Sequence, residues 1–160
     1  VVSGTEVWTN ASLTSVSDNV TEIHLLGIGK ASLQGANSGQ AMYGNAARNT
    51  FEGNGGADDF VFLKGTTGRT EKKADTIADF SQAEGDRIDL DAWDANSRQN
   101  GNQDFDFIGE ENFHGNAGEL RFFQEGGDTW IEGDTNGDRR TDLLIRLDGA
   151  VALVAGDFDL

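Results

Sequence analysis

Large apolar side chains recur every nine positions through part of the first half of the chain, at Leu33, Met42, Phe51 and Phe60. A glycine stands seven positions before each of the last three, and these glycines are Gly35, Gly44 and Gly53. A repeat of this period, in which a glycine-containing turn precedes a short strand, is typical of a parallel β-roll. The alternative is a glycine-rich loop with accidental spacing, but two separate positions keep one register over three turns. The pattern therefore predicts a roll.

The segments on either side of the repeat resemble short strands and show no sustained helical period. Residues 1–33 mix β-branched and alternating apolar residues, which predicts irregular early turns of the roll. Later strand candidates, separated by Gly, Asn and Asp, are residues 76–77, 87–90, 105–108, 119–123, 129–132, 143–147 and 151–154. The predicted fold is all-β: a short parallel β-roll over residues 1–62, capped by an antiparallel β-sheet or sandwich over residues 63–160, in one continuous unit.

The third turn of the repeat, GNGGADDFV, fits the calcium-binding nonapeptide G-G-x-G-x-D-x-U-x except at its second place, where Asn54 replaces glycine. The sixth place, which supplies the carboxylate, holds Gln40, Asn49 and Asp58 in successive turns. Ca²⁺ takes roughly six to eight oxygen ligands and needs nearby negative charge. We therefore expect structural roles for the earlier turns, and a calcium site formed by Asn49, Gly53, Gly55 and Asp58.

A second candidate calcium site lies in the segment GDTNGDRRTDL. Asp134, Asn136, Asp138 and Asp142 place oxygen-bearing side chains at a D-x-N-x-D-x-x-x-D spacing, with Gly137 to allow a bend. The segment is similar to the first half of an EF-hand loop, without the helices or the final glutamate. The alternative is a solvated hairpin turn whose acidic side chains favour the turn backbone.

Composition restricts the setting in which such a chain works. The 160 residues include 28 Asp and Glu against 12 Lys and Arg, giving a formal net charge of −16, and no cysteine. This charge disfavours nucleic acid and anionic membranes as partners, and divalent cations would relieve its self-repulsion. A simpler reason for the acidity is solubility. The sequence contains no stretch long and apolar enough to span a membrane, and its first residues lack the pattern of a signal peptide.

Catalytic motifs are absent from the sequence. The chain has two histidines, no H-E-x-x-H, no cysteine and no G-x-S-x-G, so we expect a module without its own catalytic site. Aromatic residues leave a second function open, because a sugar-stacking platform could form from Trp8, Trp93, Trp130, Phe122 and Phe123. The alternative for these side chains is burial in the core. Along one strand, Phe122 and Phe123 must face opposite sides of the sheet, so at least one of them is exposed or covered by the cap.

The order of motifs DDFVF, DTIADF, GDRIDL, GNQDFDFIG, FHGNAGELRF, GDTNGDRRTDLLIRL and DFDL is similar to the carboxy-terminal region of serralysin-type secreted proteins of the repeats-in-toxin class. The resemblance covers residues 35–160. It implies a calcium-dependent roll closed by a cap, and an uncleaved type I export signal in residues 157–160. It also implies that one carboxylate among Asp75, Asp79, Asp86 and Asp89 completes the last roll site, although their alternation with apolar residues also fits strand positions that face solvent.

These observations lead to one expected function and one alternative. The expectation is a non-catalytic calcium-binding module of a larger exported bacterial protein, with Ca²⁺ as cofactor and the type I secretion machinery as partner of its tail. The attached upstream domain would be a protease, a lipase or a polysaccharide-modifying enzyme. The alternative is a polysaccharide-binding module that targets an attached enzyme or adhesin to a glycan.

Overall fold

A computed structural model describes residues 5–160, so the first four positions of the predicted roll lie outside it. Short strands account for the regular structure, apart from one 3₁₀ turn at Ala155–Asp157, and no α-helix occurs in the described range. The strands are β1 Thr5–Thr9, β2 Val20–Leu25, β3 Ala31–Gln34, β4 Ala41–Tyr43, β5 Asn49–Glu52, β6 Asp59–Val61, β7 Asp75–Ile77, β8 Arg87–Asp89, β9 Asp106–Phe107, β10 Glu119–Glu125, β11 Asp128–Asp134, β12 Leu143–Leu147 and β13 Phe158–Asp159. The all-β prediction is confirmed.

Successive strands of the repeat alternate between two sheets, as they must in a roll. The first sheet has the order β1-β2-β4-β6-β8-β13, and every neighbouring pair in it is parallel. The second sheet has the order β3-β5-β7-β12-β11-β10-β9 and is parallel from β3 to β12. From β2 to β8 consecutive strands lie in different sheets, so the turns between them alternate between the two edges of the roll.

The apolar places of the nine-residue repeat fill the space between the sheets. Leu33, Met42, Phe51 and Phe60 are all 0% exposed. In the first sheet Met42 and Phe60 are register partners, and Phe60 is in turn the partner of Ile88; in the second sheet Leu33, Phe51 and Ile77 follow one another in the same way. Burying each such side chain contributes on the order of 1.5–3 kcal/mol. The repeat is therefore held together by two stacked columns of apolar side chains.

The roll continues beyond the predicted boundary at residue 62. Strands β7 and β8 extend the two sheets in the same parallel arrangement as the strands before them. The loop of residues 62–74 separates β6 from β7, and it interrupts the nine-residue spacing without ending the roll. The parallel pairing of the roll therefore includes β7 and β8, and a division of the chain between residues 62 and 63 stays a prediction.

The cap is less antiparallel than predicted. Only β10, β11 and β12 form an antiparallel meander, whereas β9 pairs with β10 and β13 with β8 in parallel. The strand predicted at residues 151–154 does not form, because this stretch joins no ladder and leads into the 3₁₀ turn. The strand candidates before it each contain or overlap an observed strand.

Candidate calcium sites at the two edges of the roll

Turns that lie on the same edge of the roll come from alternate repeats. The turns that lead into the first sheet form the first edge, made of residues 35–40, 53–58 and 79–86. The turns that lead into the second sheet form the second edge, made of residues 26–30, 44–49 and 62–74. The predicted set of calcium ligands is therefore divided, because Asn49 lies on the second edge while Gly53, Gly55 and Asp58 lie on the first.

Asp58 joins neighbouring turns of the first edge. Its Oδ1 accepts a hydrogen bond from the Gln40 backbone N–H at 2.8 Å, and its own N–H donates to Asp86 Oδ1 at 3.0 Å. The residue is 1% exposed. Burial raises the pKa of the Asp58 carboxyl to about 7, the hydrogen bond from Gln40 opposes this rise, and the charge of Asp86 adds to it. The fold thus holds the Asp58 carboxylate in a place that disfavours its charge.

Two further carboxylates approach the same turn from residues 79–86. Asp79 accepts hydrogen bonds from the backbone N–H groups of Gly53 and Asn54, at 2.9 and 2.8 Å. Asp86 is also buried, and this burial raises the pKa of its carboxyl. Within residues 5–160, no lysine or arginine forms an ion pair with Asp58, Asp79 or Asp86. The first edge therefore concentrates negative charge without a protein cation to balance it.

Asp75 occupies the corresponding place on the second edge. It is 0% exposed, and its Oδ1 accepts the Asn49 backbone N–H at 2.7 Å. Its Oδ2 is buried and has no hydrogen-bond partner in the described part of the chain. Burial raises the pKa of Asp75 to about 8, against the opposing effects of the Asn49 hydrogen bond and the nearby charge of Arg48. Of the two interpretations of this residue, a solvent-facing strand position is wrong, since Asp75 is fully buried.

Glycine keeps space open in both turns. A Cβ on Gly53 would lie 3.0 Å from Asp58 Cγ and closer still to its Oδ2. A Cβ on Gly44 would lie 2.8 Å from Asn49 Oδ1 and 3.6 Å from Asp75 Oδ2. Asn54, at the place where the motif has its second glycine, has a φ of 66°, a left-handed conformation that asparagine tolerates better than most residues. These positions leave side-chain oxygens directed into the turns.

Asparagine side chains at the second place of two turns, Asn45 and Asn54, bind carbonyl oxygens of the preceding turn on the same edge. Asn45 Nδ2 donates to two carbonyls of the preceding turn on the second edge, Leu26 O at 3.1 Å and Gly29 O at 3.0 Å. On the first edge Asn54 Nδ2 donates to Gly35 O at 2.9 Å. An amide N–H group satisfies carbonyl oxygens that a cation would otherwise bridge. These contacts fit the expectation that the earlier turns are structural.

The chemistry of the later turns suits calcium, because carboxylate and amide oxygens are the donors that it prefers. No group of three or more His, Cys, Asp or Glu side chains suitable for a metal occurs in residues 5–160. A roll site would thus need carbonyl and amide oxygens besides its carboxylates. The unpartnered Asp75 Oδ2 is the clearest feature that fits a cation. Asp75 with Asn49 on one edge, and Asp58 with Asp79 and Asp86 on the other, are the residues able to hold the ion.

The loop at residues 134–142 satisfies its own carboxylates. Asp134 accepts backbone N–H groups from Asn136, Gly137 and Arg139, at 2.7 to 3.0 Å. Asp142 Oδ2 accepts hydrogen bonds from the Thr135 N–H and hydroxyl and from Asn136 Nδ2, while its Oδ1 pairs with Arg69 at 3.1 Å. Asp138 is exposed. This geometry favours the hairpin alternative, and calcium at Asp134, Asn136, Asp138 and Asp142 stays a prediction.

Sequence reasoning named Asp79 and Asp86 only as members of an acidic group after the roll. The structure brings both to the Gly53 turn, and Asp89 lies further along, in β8. The available signal for Asp86 was its place two positions before the apolar Ile88, which is the place that Asp58 has before Phe60 in the third turn. What hid their role was the loop of residues 62–74, which separates them from the nonapeptides.

Similarity to known proteins is found among solved structures and family models. The described range contains no helix that is long and apolar enough to cross a bilayer. A search of curated proteins finds no match. Among solved structures, the solution structure of the AlgE6R3 subunit from the Azotobacter vinelandii mannuronan C5-epimerase is 21% identical, with a TM-score of 0.49 over 87% of this chain and 77% of that one.

A family model described as Peptidase M10 serralysin C terminal matches residues 4–159. This match spans both sheets of the roll, the second edge with Asp75, and the cap. The resemblance seen in the order of the sequence motifs is therefore confirmed, and the chain belongs to the serralysin carboxy-terminal family.

Proposed function

We propose that this chain is a non-catalytic, calcium-binding module of a larger exported protein, and that it folds fully only when calcium is present. The observation that carries the proposal is the buried Asp75 carboxylate, whose Oδ2 lacks a partner beside Asn49 and Gly44. Bound calcium would supply positive charge directly at Asp58 and Asp75, which form no ion pair with a lysine or arginine in residues 5–160. Without that charge, the carboxylates of Asp58 and Asp75 oppose close packing of the turns.

The carboxy-terminal tail supports a link between folding and export. Phe158 is 4% exposed in β13, next to β8, and Asp157 Oδ2 accepts hydrogen bonds from Val154 N–H and Gln82 Nε2. Asp157 and Phe158 are buried in the folded module, so a receptor can contact these two side chains only before folding, whereas Asp159 stays exposed. We therefore propose that residues 157–160 are read by the type I machinery before folding, while calcium is scarce, and that folding follows outside the cell.

A calcium titration followed by far-ultraviolet circular dichroism and calorimetry, against a chelated control, tests the calcium part. We expect the melting temperature to rise with calcium, by the linkage term RT ln(1 + [L]/Kd). Asp58→Ala should weaken this response. Asp91→Ala, a change at an exposed aspartate beyond both edges, should leave it intact. A chelated protein that is fully folded and takes up no calcium would contradict the proposal.

Export is tested separately, with a passenger domain fused upstream and the type I machinery co-expressed. Removal of residues 157–160 should abolish secretion of the fusion. Asp58→Ala should still be secreted, because this change leaves the tail intact. Secretion of the truncated fusion at the normal level would refute the role of the tail without affecting the calcium proposal.

A second candidate function, glycan binding, is favoured by one observation on the outer face of the second sheet. Phe123 and Trp130 are register partners there, and both are only partly buried, while Phe122 is 4% exposed and faces the core. The three tryptophans themselves form no common platform, because Trp93 is buried and Trp8 stacks on His24 in the first sheet. Glycan binding is tested through the cleft that contains Trp130.

A further inference from the structure

A cleft of about 530 Å³ lies where the loop of residues 62–74 meets the β10–β11 hairpin. The charged, aromatic and hydroxyl side chains that line it, hereafter the Trp130 cleft, are Arg69, Glu71, Lys72, Phe123, Trp130, Glu132, Thr70 and Thr141. Its two walls come from distant parts of the sequence. The Gly68 carbonyl accepts the Leu144 N–H at 2.9 Å, and Thr67 Oγ1 donates to Leu144 O at 2.7 Å, so the loop is fixed against the sheet.

The sheet wall of the Trp130 cleft is aromatic, and its two rings are held in place by neighbouring side chains. Phe123 and Trp130 sit side by side on adjacent strands, and the Arg146 guanidinium lies 5.9 Å from the centre of the Trp130 ring. Arg121 lies 5.4 Å from the centre of the Phe123 ring. Cations held over the rings restrict their rotation. A rigid, half-exposed aromatic surface is the type of surface on which a planar or ring-shaped ligand stacks with little loss of side-chain entropy.

The two cations that line the Trp130 cleft, Arg69 and Lys72, are matched by two carboxylates, Glu71 and Glu132, so the excess of positive charge on this surface comes from the adjoining second hollow. Glu132 is neutralised within the protein, because Arg121 Nη1 donates to its Oε1 at 2.6 Å and Thr141 Oγ1 to its Oε2 at 2.6 Å. Arg69 pairs with Asp142, but its side chain is still 70% exposed. Lys72 forms no ion pair with any residue in the range 5–160. Arg69 and Lys72 at the rim are therefore exposed to solvent and can form ion pairs with a ligand.

A second hollow of about 300 Å³ shares Lys72 with the Trp130 cleft. Its other charged side chains are Lys30, Arg48 and Lys73. Together the two hollows gather five of the 12 lysines and arginines of a chain whose net charge is −16. A run of cations of this kind, in so acidic a protein, is suited to an extended ligand with regularly spaced single negative charges. The high charge density of nucleic acid would instead meet the repulsion of the whole molecule.

We infer that this surface binds an acidic polysaccharide, with one sugar ring stacked on Trp130 and Phe123 and the ring carboxylates directed to Arg69 and Lys72. The inference rests on the second candidate function, glycan binding, and specifies its site and its ligand class. The hydroxyls of Thr70 and Thr141 provide hydrogen-bonding partners for sugar hydroxyls at the wall of the cleft. Aromatic stacking, exposed cations and hydroxyl groups in one cleft are the elements that recognition of a carboxylated sugar requires.

Isothermal titration calorimetry of the calcium-saturated protein tests the inference, with oligogalacturonate as the acidic probe and a malto-oligosaccharide of equal length as the neutral one. We expect binding of oligogalacturonate and weaker binding of the neutral probe. Trp130→Ala and Lys72→Ala should each weaken binding about tenfold or more, which corresponds to about 1.4 kcal/mol. The matched controls are Trp8→Ala, a change at an exposed tryptophan on the other sheet, and Arg98→Ala, a change at an exposed cation outside both hollows.

The outcomes separate the inference from the proposals on which it depends. Equal binding of both probes would overturn the acidic ligand class and leave glycan binding standing. Binding that Trp130→Ala and Lys72→Ala do not weaken would overturn the site. No binding of either probe would overturn both the inference and the glycan function, while the calcium titration decides the calcium proposal independently. Lys72→Ala keeps the test valid if Trp130→Ala fails to fold, because Lys72 is an exposed loop residue.

Discussion

Replacement of Asp75 by asparagine should change stability in opposite directions with and without calcium. The ordinary pKa of 3.8 rises to about 8 in the fold, chiefly because the carboxyl is fully buried. The folded protein binds this proton more tightly than the unfolded chain does. The free energy of unfolding therefore falls as the pH rises from about 4 to about 8. Near neutral pH, the raised pKa of Asp75 lowers the free energy of unfolding of the chelated protein by at most roughly 4 kcal/mol.

Asparagine has nearly the same shape as aspartate and can still accept the Asn49 N–H, but it does not titrate. We therefore expect Asp75→Asn to stabilise the chelated protein by about 1–3 kcal/mol, less than the limit because the surroundings relax. With calcium at a thousand times Kd, the wild type gains about 4.1 kcal/mol per site, more than the advantage of the variant in chelator, and the variant should lack this gain at the second edge. The stability order of the two proteins should thus reverse.

Urea denaturation near neutral pH, in chelator and in millimolar calcium, measures both effects through the midpoint at constant m value. Asp91→Asn is the matched control, since Asp91 is exposed. A variant that is less stable than the wild type in chelator would refute the conclusion that the buried charge of Asp75 destabilises the protein without calcium. An unchanged calcium response would refute its role as a ligand.

Three further predictions concern the turns. Asn45→Asp should destabilise the chelated protein by about 1–3 kcal/mol in urea melts, because a carboxylate would then face the carbonyls of Leu26 and Gly29, and calcium should restore part of this loss. Gly53→Ala should lower both stability and calcium affinity, since the new methyl group would collide with the Asp58 carboxylate, whereas Gly29→Ala, with open space around it, should do neither in the same calorimetric titration. The raised pKa of Asp58, about 7, predicts that the chelated protein loses stability in urea melts as the pH rises from about 4 to 7, and that calcium flattens this dependence; a chelated protein that gains stability over that range would contradict it.

The core of the roll was predictable from the sequence because one spacing determines both its turns and its strands. Leu33, Met42, Phe51 and Phe60 are all fully buried, as the nine-residue repeat requires. A one-residue shift would have turned these side chains out of the core, so the register is strongly specified. The early, irregular turns were predicted only as strand-like. The nine-residue repeat does not extend to them, so the pairing of β1 with β2 in the first sheet was not predictable.

The candidate sites were less predictable because they depend on how far apart stacked turns lie in the sequence. Gln40 and Asp58, which belong to regular turns, are linked across 18 residues. The equivalent links from Asn49 to Asp75 and from Asp58 to Asp86 span 26 and 28 residues. Insertions of this kind keep the stacking but remove the regular period, so the sequence pattern could not assign these carboxylates to an edge.

The position of the tail connects the candidate calcium sites to the proposed export signal. Strand β13 pairs only with β8, and β8 begins at Arg87, directly after Asp86. Because Asp86 accepts the Asp58 N–H, the strand that receives the tail is fixed by the same turn that gathers the buried carboxylates of the first edge. Charge repulsion in that turn thus acts on the docking site of Phe158. If residues 157–160 carry the export signal, as proposed, the signal becomes buried in the sheet when calcium balances the charge of Asp58 and Asp86. The same carboxylates then oppose folding before export, where calcium is scarce, and favour folding afterwards, where calcium binds them.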